Sequence, residues 1–181
     1  MPSACIILAN GFEEIEAVSV IDILRRGKIN LTVAGLNTHV TSARGLQIIP
    51  DTTLAAIATQ PFDAIILPGG EPGTSNLEEN ALVTQILQTH FALNKLLAAI
   101  CAAPRILNDL GFLTQVKATS FPKTMPRMTQ CAYSEDEVVT DKNIITSRGA
   151  GTSLAFAYAV LEYLSSKESV DKLKEDMIYP N

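Results

Sequence analysis

The sequence predicts an α/β fold in which helices sandwich a doubly wound, mostly parallel sheet. Short apolar segments alternate with helical patterns along the 181 residues, an order typical of doubly wound domains. Several of these segments lack polar alternation, as do strands that are covered on both faces. No repeat, linker or low-complexity tract divides the chain. Residues 1–181 are therefore expected to form a single domain.

The expected strands are short and apolar, and most of them end at a glycine, a proline or a polar turn. They cover residues 4–9, 30–36, 62–67, 96–100 and 144–147, with a weaker strand at 116–121. Two hairpins are also expected, one from residues 38–43 and 46–49, which turns at Arg44-Gly45, and one from residues 138–140 and 144–147.

Helices are indicated by apolar residues at spacings of three and four positions. They are expected at residues 13–26, 82–93, 103–110, 152–164 and 167–177. Of these, the fourth is apolar almost throughout, which predicts a buried helix, and the last is polar and amphipathic. Because ligands of doubly wound sheets bind beyond the carboxyl ends of the strands, the following segments are candidates for function: residues 10–16, 68–76, 101–104 and 147–152.

The composition excludes several classes of function. The chain has 14 basic and 19 acidic residues and a net charge of −5, whereas nucleic-acid-binding proteins carry a basic face. No apolar run approaches the ~20 residues of a membrane span, and no secretion signal is recognised at the start. The cysteines, Cys5, Cys101 and Cys131, include no close pair. We therefore expect a reducing, cytoplasmic location, no disulfide and no thiolate metal site.

Cys101 is the candidate nucleophile. It lies where the strand at 96–100 turns directly into a helix, and alanines precede and follow it. A nucleophile on such a sharp, strained turn needs small neighbours, and a helix N-terminus behind it would lower the pKa of the thiol. Alternatively, Cys101 is a small core residue, as buried cysteines usually are. The pattern alone favours neither interpretation.

Two other segments could complete a site around this cysteine. Gly69 and Gly70 end a strand, and their amides, with that of Ala102, could form an oxyanion hole; an ordinary turn is the simpler explanation of the glycines. Glu16 shares the first turn of its helix with apolar residues and is expected to point inward, where burial would raise its pKa. Alternatively, the acidic residues of this turn only complement the helix dipole.

The two histidines, His39 and His90, are expected in a peripheral hairpin and in the middle of a helix. Neither would follow a strand, so both are interpreted as surface or packing residues. If Cys101 is catalytic, a carboxyl group must therefore transfer the proton that histidine usually transfers. The glycine loop lacks the Gly-Lys-Ser/Thr ending of a phosphate-binding loop, so ATP-dependent phosphoryl transfer is not expected.

Four motifs resemble those of the ThiJ/PfpI superfamily, and most closely its YajL-type branch, which includes the Parkinson-disease-associated protein deglycase. They are GFEEIE at 11–16, LPGG at 67–70, AICAAP at 99–104 and TSRGAGTS at 146–153. The resemblance covers nearly the whole chain and implies a flavodoxin-like fold and a homodimer. It implies that Cys101 is the nucleophile, that a protonated Glu16 hydrogen-bonds to its sulfur, and that Gly70 and Ala102 supply the amides.

The resemblance also implies an activity: conversion of methylglyoxal or glyoxal to hydroxy acids without a cofactor (glyoxalase III), or deglycation of their early adducts on proteins. Oxidative-stress sensing through the cysteine and holdase chaperone activity are further attributes of the family. Phe121 stands where other branches have a histidine, and Ala102 where the protease-like branch has one, which counts against peptidase activity. Arg26 and Arg44 match arginines near the dimer interface and cleft of relatives; they could bind an anion or simply be solvated.

Overall fold

The structure is a computed structural model that describes residues 1–180. Its strands are β1 (Ser3–Leu8), β2 (Asn30–Gly35), β3 (Val40–Thr41), β4 (Gln47–Ile48), β5 (Thr52–Thr53), β6 (Ala64–Leu67), β7 (Leu96–Ile100), β8 (Lys117–Ala118), β9 (Ala132–Tyr133), β10 (Val138–Asp141) and β11 (Ile144–Ser147). Its helices are α1 (Glu14–Arg26), α2 (Gly73–Glu78), α3 (Ala81–Ala92), α4 (Pro104–Asp109), α5 (Ser153–Leu164) and α6 (Lys167–Asp176).

The central sheet has seven strands in the order β10-β11-β7-β6-β1-β2-β5. Its neighbouring strands are parallel, except for β10 and β11, which form the antiparallel hairpin expected near the end of the chain. The other predicted hairpin, β3 with β4, lies outside this sheet. The predicted doubly wound, mostly parallel sheet with a small hairpin is therefore confirmed.

Alternation along each strand divides its apolar residues between two cores. In β1, Ile6 and Leu8 belong to the core that contains α1 and α5 residues, whereas Cys5 and Ile7 belong to the core with α3 and α4. All four side chains are fully buried. Helices cover both faces of the sheet, which explains why its inner strands carry no polar alternation.

The structure differs from the prediction mainly in its short elements. The weak strand expected at 116–121 is reduced to β8, which pairs with β9 and not with the central sheet. The patterns do not predict β5, β9 or α2, because two-residue strands and a six-residue helix are too short to show a periodicity. Within residues 1–180, none of the helices has both the length and the apolar character needed to span a membrane.

The connection of the strands creates the place for a site. The chain adds β2 on one side of β1 and then β6, β7 and β11 on the other. Such a switch in strand order leaves a crevice beyond the carboxyl ends of the strands. Residues that follow β1, β6, β7 and β11 line one cleft there, and they come from the four segments that the sequence marks as candidates.

Candidate active site

A cleft of about 370 Å³ opens beyond the carboxyl ends of the strands. It is lined by Glu13, Glu16, Ala43, Arg44, Gly70, Glu71, Cys101, Ala102, Phe121 and Ala150. Six of the eight residues predicted for the site are among them. Of the other two, Gly69 lies directly behind the cleft, between Cys101 and Glu16, whereas Arg26 lies elsewhere.

Cys101 occupies the turn between β7 and α4 in a left-handed backbone conformation, with a φ of 65°. A non-glycine residue in this region costs roughly 1–2 kcal/mol, so its surroundings must hold the turn in place. The Cys101 amide donates to the Ser147 carbonyl (3.0 Å), and the Cys101 carbonyl accepts from the Phe121 amide (2.8 Å). The small, buried side chains of Ala102 and Ala103 leave room for the turn, as the sequence predicts.

Glu16 lies on the buried face of α1, and its side chain is fully buried, which confirms the predicted inward orientation. Its Oε2 accepts from the Gly69 amide (2.7 Å), and among the described residues Oε1 finds no nitrogen or oxygen partner. Burial is the main reason that the pKa of Glu16 rises to about 7, and the charge of Glu13 adds to the rise. Hydrogen bonds with Gly69 and Cys101 oppose it.

The Cys101 thiol is held in its protonated form. Burial, the charge of the Glu16 carboxylate and the hydrogen bond with Glu16 raise its pKa to about 12. The interactions of the sulfur with the amides of Ala102 and Gly70 lower the pKa, but by less. The net lowering of this pKa that the sequence predicts is therefore wrong: the amide of Ala102, just before α4, does lower the pKa, but desolvation outweighs it.

Cys101 and Glu16 are coupled, since the charge on one group changes the pKa of the other. A proton on Glu16 removes the negative charge that opposes ionisation of the thiol, and it supplies a donor to the sulfur. The amides of Gly70 and Ala102 supply two more donors. The arrangement can thus form a thiolate beside a protonated carboxyl group.

Two glycines let the chain pass between these side chains. A Cβ on Gly69 would lie 2.6 Å from the Cβ of Cys101 and 2.8 Å from Glu16 Oε2. Gly70 has a φ of 90°, and a Cβ there would collide with the backbone nitrogen of Glu13. The Gly69 carbonyl accepts from the Glu13 amide (2.9 Å). Because the peptide is planar, this bond turns the Gly70 amide the opposite way, towards the sulfur.

Gly69→Ala is expected to force Cys101 and Glu16 apart and to lower the free energy of unfolding by about 1–3 kcal/mol, as overpacking does. Denaturant unfolding measures the loss, and alkylation of Cys101 reports the disturbed site. Gly151→Ala is the matched control, because a Cβ on Gly151 meets nothing within 4 Å. An equal loss in both variants, or no loss in Gly69→Ala, would contradict this prediction.

The two predicted arginines lie in different places. Arg44 borders the cleft at the turn of the β3–β4 hairpin, where its amide donates to Ser42 Oγ (3.3 Å) and this hydroxyl donates to Glu14 Oε1 (3.0 Å). Arg26 lies in the last turn of α1, with its Nε 2.8 Å from Asp22 Oδ2 and about half of its side chain exposed. The structure does not bring Arg26 to the cleft, and its part in binding stays a prediction.

Phe121 lines the cleft, and the two histidines do not. Phe121 lies at the cleft and is 39% exposed, so an apolar ring stands where other branches have a base. His90 is buried, accepts from the Phe62 amide (3.1 Å) and lies 2.7 Å from the Ile86 carbonyl. His39 is exposed. Neither histidine lines the cleft, which confirms their interpretation as packing and surface residues.

Sequence reasoning did not choose four of the lining residues, namely Glu13, Ala43, Glu71 and Ala150. Each lies next to a chosen residue or within a chosen motif, and this adjacency is the signal that could have found them. The three cysteines are free. Within residues 1–180, no group of three or more His, Cys, Asp or Glu side chains is placed to hold a metal ion.

Comparison with known proteins connects this site to a family. The chain is 42% identical over 180 residues to Protein dj-1beta of Drosophila melanogaster, and the alignment covers 97% of this chain and 96% of that protein. It is 36% identical over 164 residues to glutathione-independent glyoxalase DJR-1.2 of Caenorhabditis elegans, and this alignment covers 89% of this chain and 87% of that protein.

Solved structures agree with the sequence matches. Oxidized Toxoplasma gondii DJ-1 superposes with a TM-score of 0.97 and 34% identity, over 100% of both chains. The DJ-1/PfpI family profile matches residues 2–163. The fold is thus the flavodoxin-like one of DJ-1 structures, and the resemblance noted in the sequence is confirmed. The match over most of the chain, at these identities, shows that the chain belongs to the DJ-1/PfpI family.

Proposed function

We propose that the protein is a cofactor-independent cysteine enzyme that converts reactive dicarbonyls, such as methylglyoxal and glyoxal, or their early glycation adducts to hydroxy acids. The observation that carries this proposal is the pairing of Cys101, on a strained turn, with buried Glu16, whose pKa is raised to about 7. A carboxyl group that exchanges its proton near neutrality can act as an acid and as a base. The name of the related glutathione-independent glyoxalase supports the same chemistry.

The reaction would begin with the proton on Glu16 and the thiolate on Cys101. The sulfur attacks the aldehyde carbon, and the oxygen of the resulting hemithioacetal accepts from the amides of Gly70 and Ala102. One such donor is worth about 3–4 kcal/mol of transition-state stabilisation. Glu16 gives its proton to this oxygen and, as a carboxylate, removes the proton from the former aldehyde carbon, which gives an enediolate. It then returns the proton to the neighbouring carbon, while the hydroxyl proton passes to the neighbouring oxygen, and the product is the thioester of the hydroxy acid. Water hydrolyses the thioester, and the hydroxy acid and the free cysteine are released.

The shape and charge of the cleft favour a small, uncharged substrate. Its volume is about 370 Å³, which accommodates a three-carbon dicarbonyl with room for part of an adduct. Its ionisable side chains besides Cys101 are three carboxyl groups, on Glu13, Glu16 and Glu71, and the guanidinium of Arg44. This balance disfavours a substrate with a carboxylate of its own, although Arg44 could hold a single anionic group at the edge.

The test is the formation of lactate from methylglyoxal by the purified protein in the absence of glutathione, quantified by chromatography. Many equivalents of lactate per protein chain are expected, and the rate of lactate formation should rise in proportion to the protein concentration. A heat-denatured sample controls for spontaneous conversion. If the native protein makes no more lactate than this control, the enzymatic proposal fails for this substrate.

A second candidate function is that of a non-enzymatic oxidative-stress sensor and holdase chaperone, which uses oxidation of Cys101. Its support is that a partly accessible sulfur lies among donors that would also bind sulfinic oxygens, and that a related structure is of an oxidized protein. The two functions separate at Glu16. A sensor needs this residue only as a hydrogen-bond donor, whereas the enzyme needs it to transfer protons.

We also infer a cytoplasmic homodimer. α1 and the hairpin near the cleft carry exposed apolar side chains, namely Ile15, Val18, Leu46 and Ile49, which are 43–75% exposed. A subunit interface would remove these apolar side chains from water. Three free cysteines without a close pair are typical of a reducing compartment.

A further inference from the structure

A network of charged side chains lies behind the wall of the cleft, with Arg105 at its centre. Arg105 stands on α4, four residues after Cys101. Its Nη1 lies 2.5 Å from Glu71 Oε1, its Nε lies 3.1 Å from Glu78 Oε2, and its Nη2 donates to Ser75 Oγ (3.0 Å). Only 11% of the Arg105 side chain is exposed. A guanidinium that is largely removed from water and shared by three partners is held in one geometry.

Glu71 connects this network to the cleft. It directly follows Gly70 and lines the cleft. Its Oε2 accepts from Ser75 Oγ (2.8 Å), so both carboxyl oxygens are engaged. Partial burial opposes ionisation, but hydrogen bonds from Ser75 and Arg105 and the charge of Arg105 together lower the pKa of Glu71. Glu71 is therefore a carboxylate at neutral pH.

Other bonds hold Gly70 from different directions. Its carbonyl accepts from the amide and the hydroxyl of Thr74 (2.8 and 2.9 Å), and the carbonyl before it accepts from the Glu13 amide (2.9 Å). These bonds join the glycine loop to its own continuation and to the start of α1. The pair of Arg105 and Glu71 instead joins the loop to α4, the helix that follows the cysteine.

We propose that Arg105 is a positioning residue that holds the Gly70 amide against the Cys101 sulfur by anchoring Glu71 to α4. Without this anchor, the loop would lose its link to the helix that follows the cysteine, and a carboxylate at the edge of the same cleft would be left without its counter-charge. Both changes disfavour the thiolate. The consequence for turnover rests on the proposed function, whereas the consequence for the thiol does not.

The test measures the rate at which iodoacetamide alkylates Cys101 as a function of pH, with the site identified by peptide mass spectrometry. Arg105→Ala is expected to lower the rate at pH 7 about three- to tenfold, which corresponds to a rise of about 0.5–1 unit in the pKa of the thiol. Arg105→Lys keeps the charge but cannot bridge three partners, so a shift in the same direction is expected. In both variants, kcat for methylglyoxal should fall while KM changes less than about twofold.

Arg127→Lys is the matched control. Arg127 shares Glu78 with Arg105 and also pairs with Asp109, and neither partner belongs to the glycine loop. Its profile is expected to match that of the wild type. The proposal is overturned if both Arg105 variants keep the wild-type alkylation rate at pH 7, or if Arg127→Lys lowers it equally. Should Arg105→Ala not fold, Arg105→Lys decides. If the wild type makes no hydroxy acid, the proposed function fails, while the alkylation profiles still decide the role of Arg105.

Discussion

Cys101→Ser is expected to abolish hydroxy-acid formation, with turnover at least about 10³-fold below that of the wild type. Serine has nearly the size of cysteine and can occupy the same turn, so the cleft should keep its shape. Its hydroxyl, however, ionises far less readily than the thiol, and Glu16 with two amides cannot compensate for this difference. The covalent step that the proposed mechanism requires is therefore lost.

Chromatographic measurement of lactate tests this prediction, with Cys131→Ser as the matched control. Cys131 is also a free, half-buried thiol, with its Sγ 3.6 Å from the Met128 carbonyl, but it does not line the cleft. Full turnover is expected for this control, and both variants should unfold at the wild-type denaturant concentration. Lactate formation that survives in Cys101→Ser would exclude the covalent mechanism. A loss of lactate formation in Cys131→Ser would show that turnover depends on a thiol outside the cleft.

The same pair of variants tests the proposed sensor function. Peroxide is expected to add two oxygen atoms to the wild type and to Cys131→Ser, but not to Cys101→Ser, as seen in the intact mass. If Cys101 is oxidised in this way and yet no lactate forms, the sensor replaces the enzyme as the better-supported function.

The parts of this molecule that the sequence predicts are those that depend on local patterns. The sequence predicts β7 with the bounds that the structure shows, Leu96–Ile100, because a strand covered on both faces is apolar at every position. The place of Cys101 follows directly, since the residue after such a strand must leave the sheet. Glu16 is recognised as inward-pointing because its apolar neighbours in the turn leave it no purely solvated face.

The parts that the sequence does not predict depend on distant residues. The pKa of Cys101 is raised rather than lowered because the folded chain buries the thiol, and because the charge of Glu16, 85 positions earlier in the chain, adds to this effect. Likewise, Arg105 and Glu71 are 34 positions apart, and no spacing rule pairs them. Arg26 matches a family position, but the structure pairs it with Asp22 on its own helix.

Glu16→Gln is expected to separate the reactivity of the thiol from turnover. Glutamine keeps the shape of the side chain, and its oxygen can still accept from the Gly69 amide, but it cannot transfer a proton. Lactate formation should fall about 10²–10⁴-fold, the usual contribution of a general acid or base. Alkylation of Cys101 at pH 8 should not fall, since the carboxylate charge that raises the thiol pKa is gone. Glu79→Gln, on the exposed surface, is the control and should change neither rate.

Stability as a function of pH gives an independent measure of the same group. The pKa of Glu16 is about 7 in the folded protein, against an ordinary value of 4.5. Between these values the folded protein binds more protons than the unfolded chain. The contribution of Glu16 to the free energy of unfolding is therefore fully present below pH 4.5 and is lost as the pH rises through 7. The decline is on the order of 3 kcal/mol, and Glu16→Gln should lack it.

Urea unfolding of the wild type and Glu16→Gln at pH 5, 6, 7 and 8 measures this difference. The curve of the variant should be flatter, and its free energy of unfolding should exceed that of the wild type above pH 7. Parallel curves would show that Glu16 is ionised throughout this range. The carboxyl group would then have no proton to give at neutral pH, and the proposed reaction would need a different proton donor, which the cleft, without a histidine among its lining residues, does not offer.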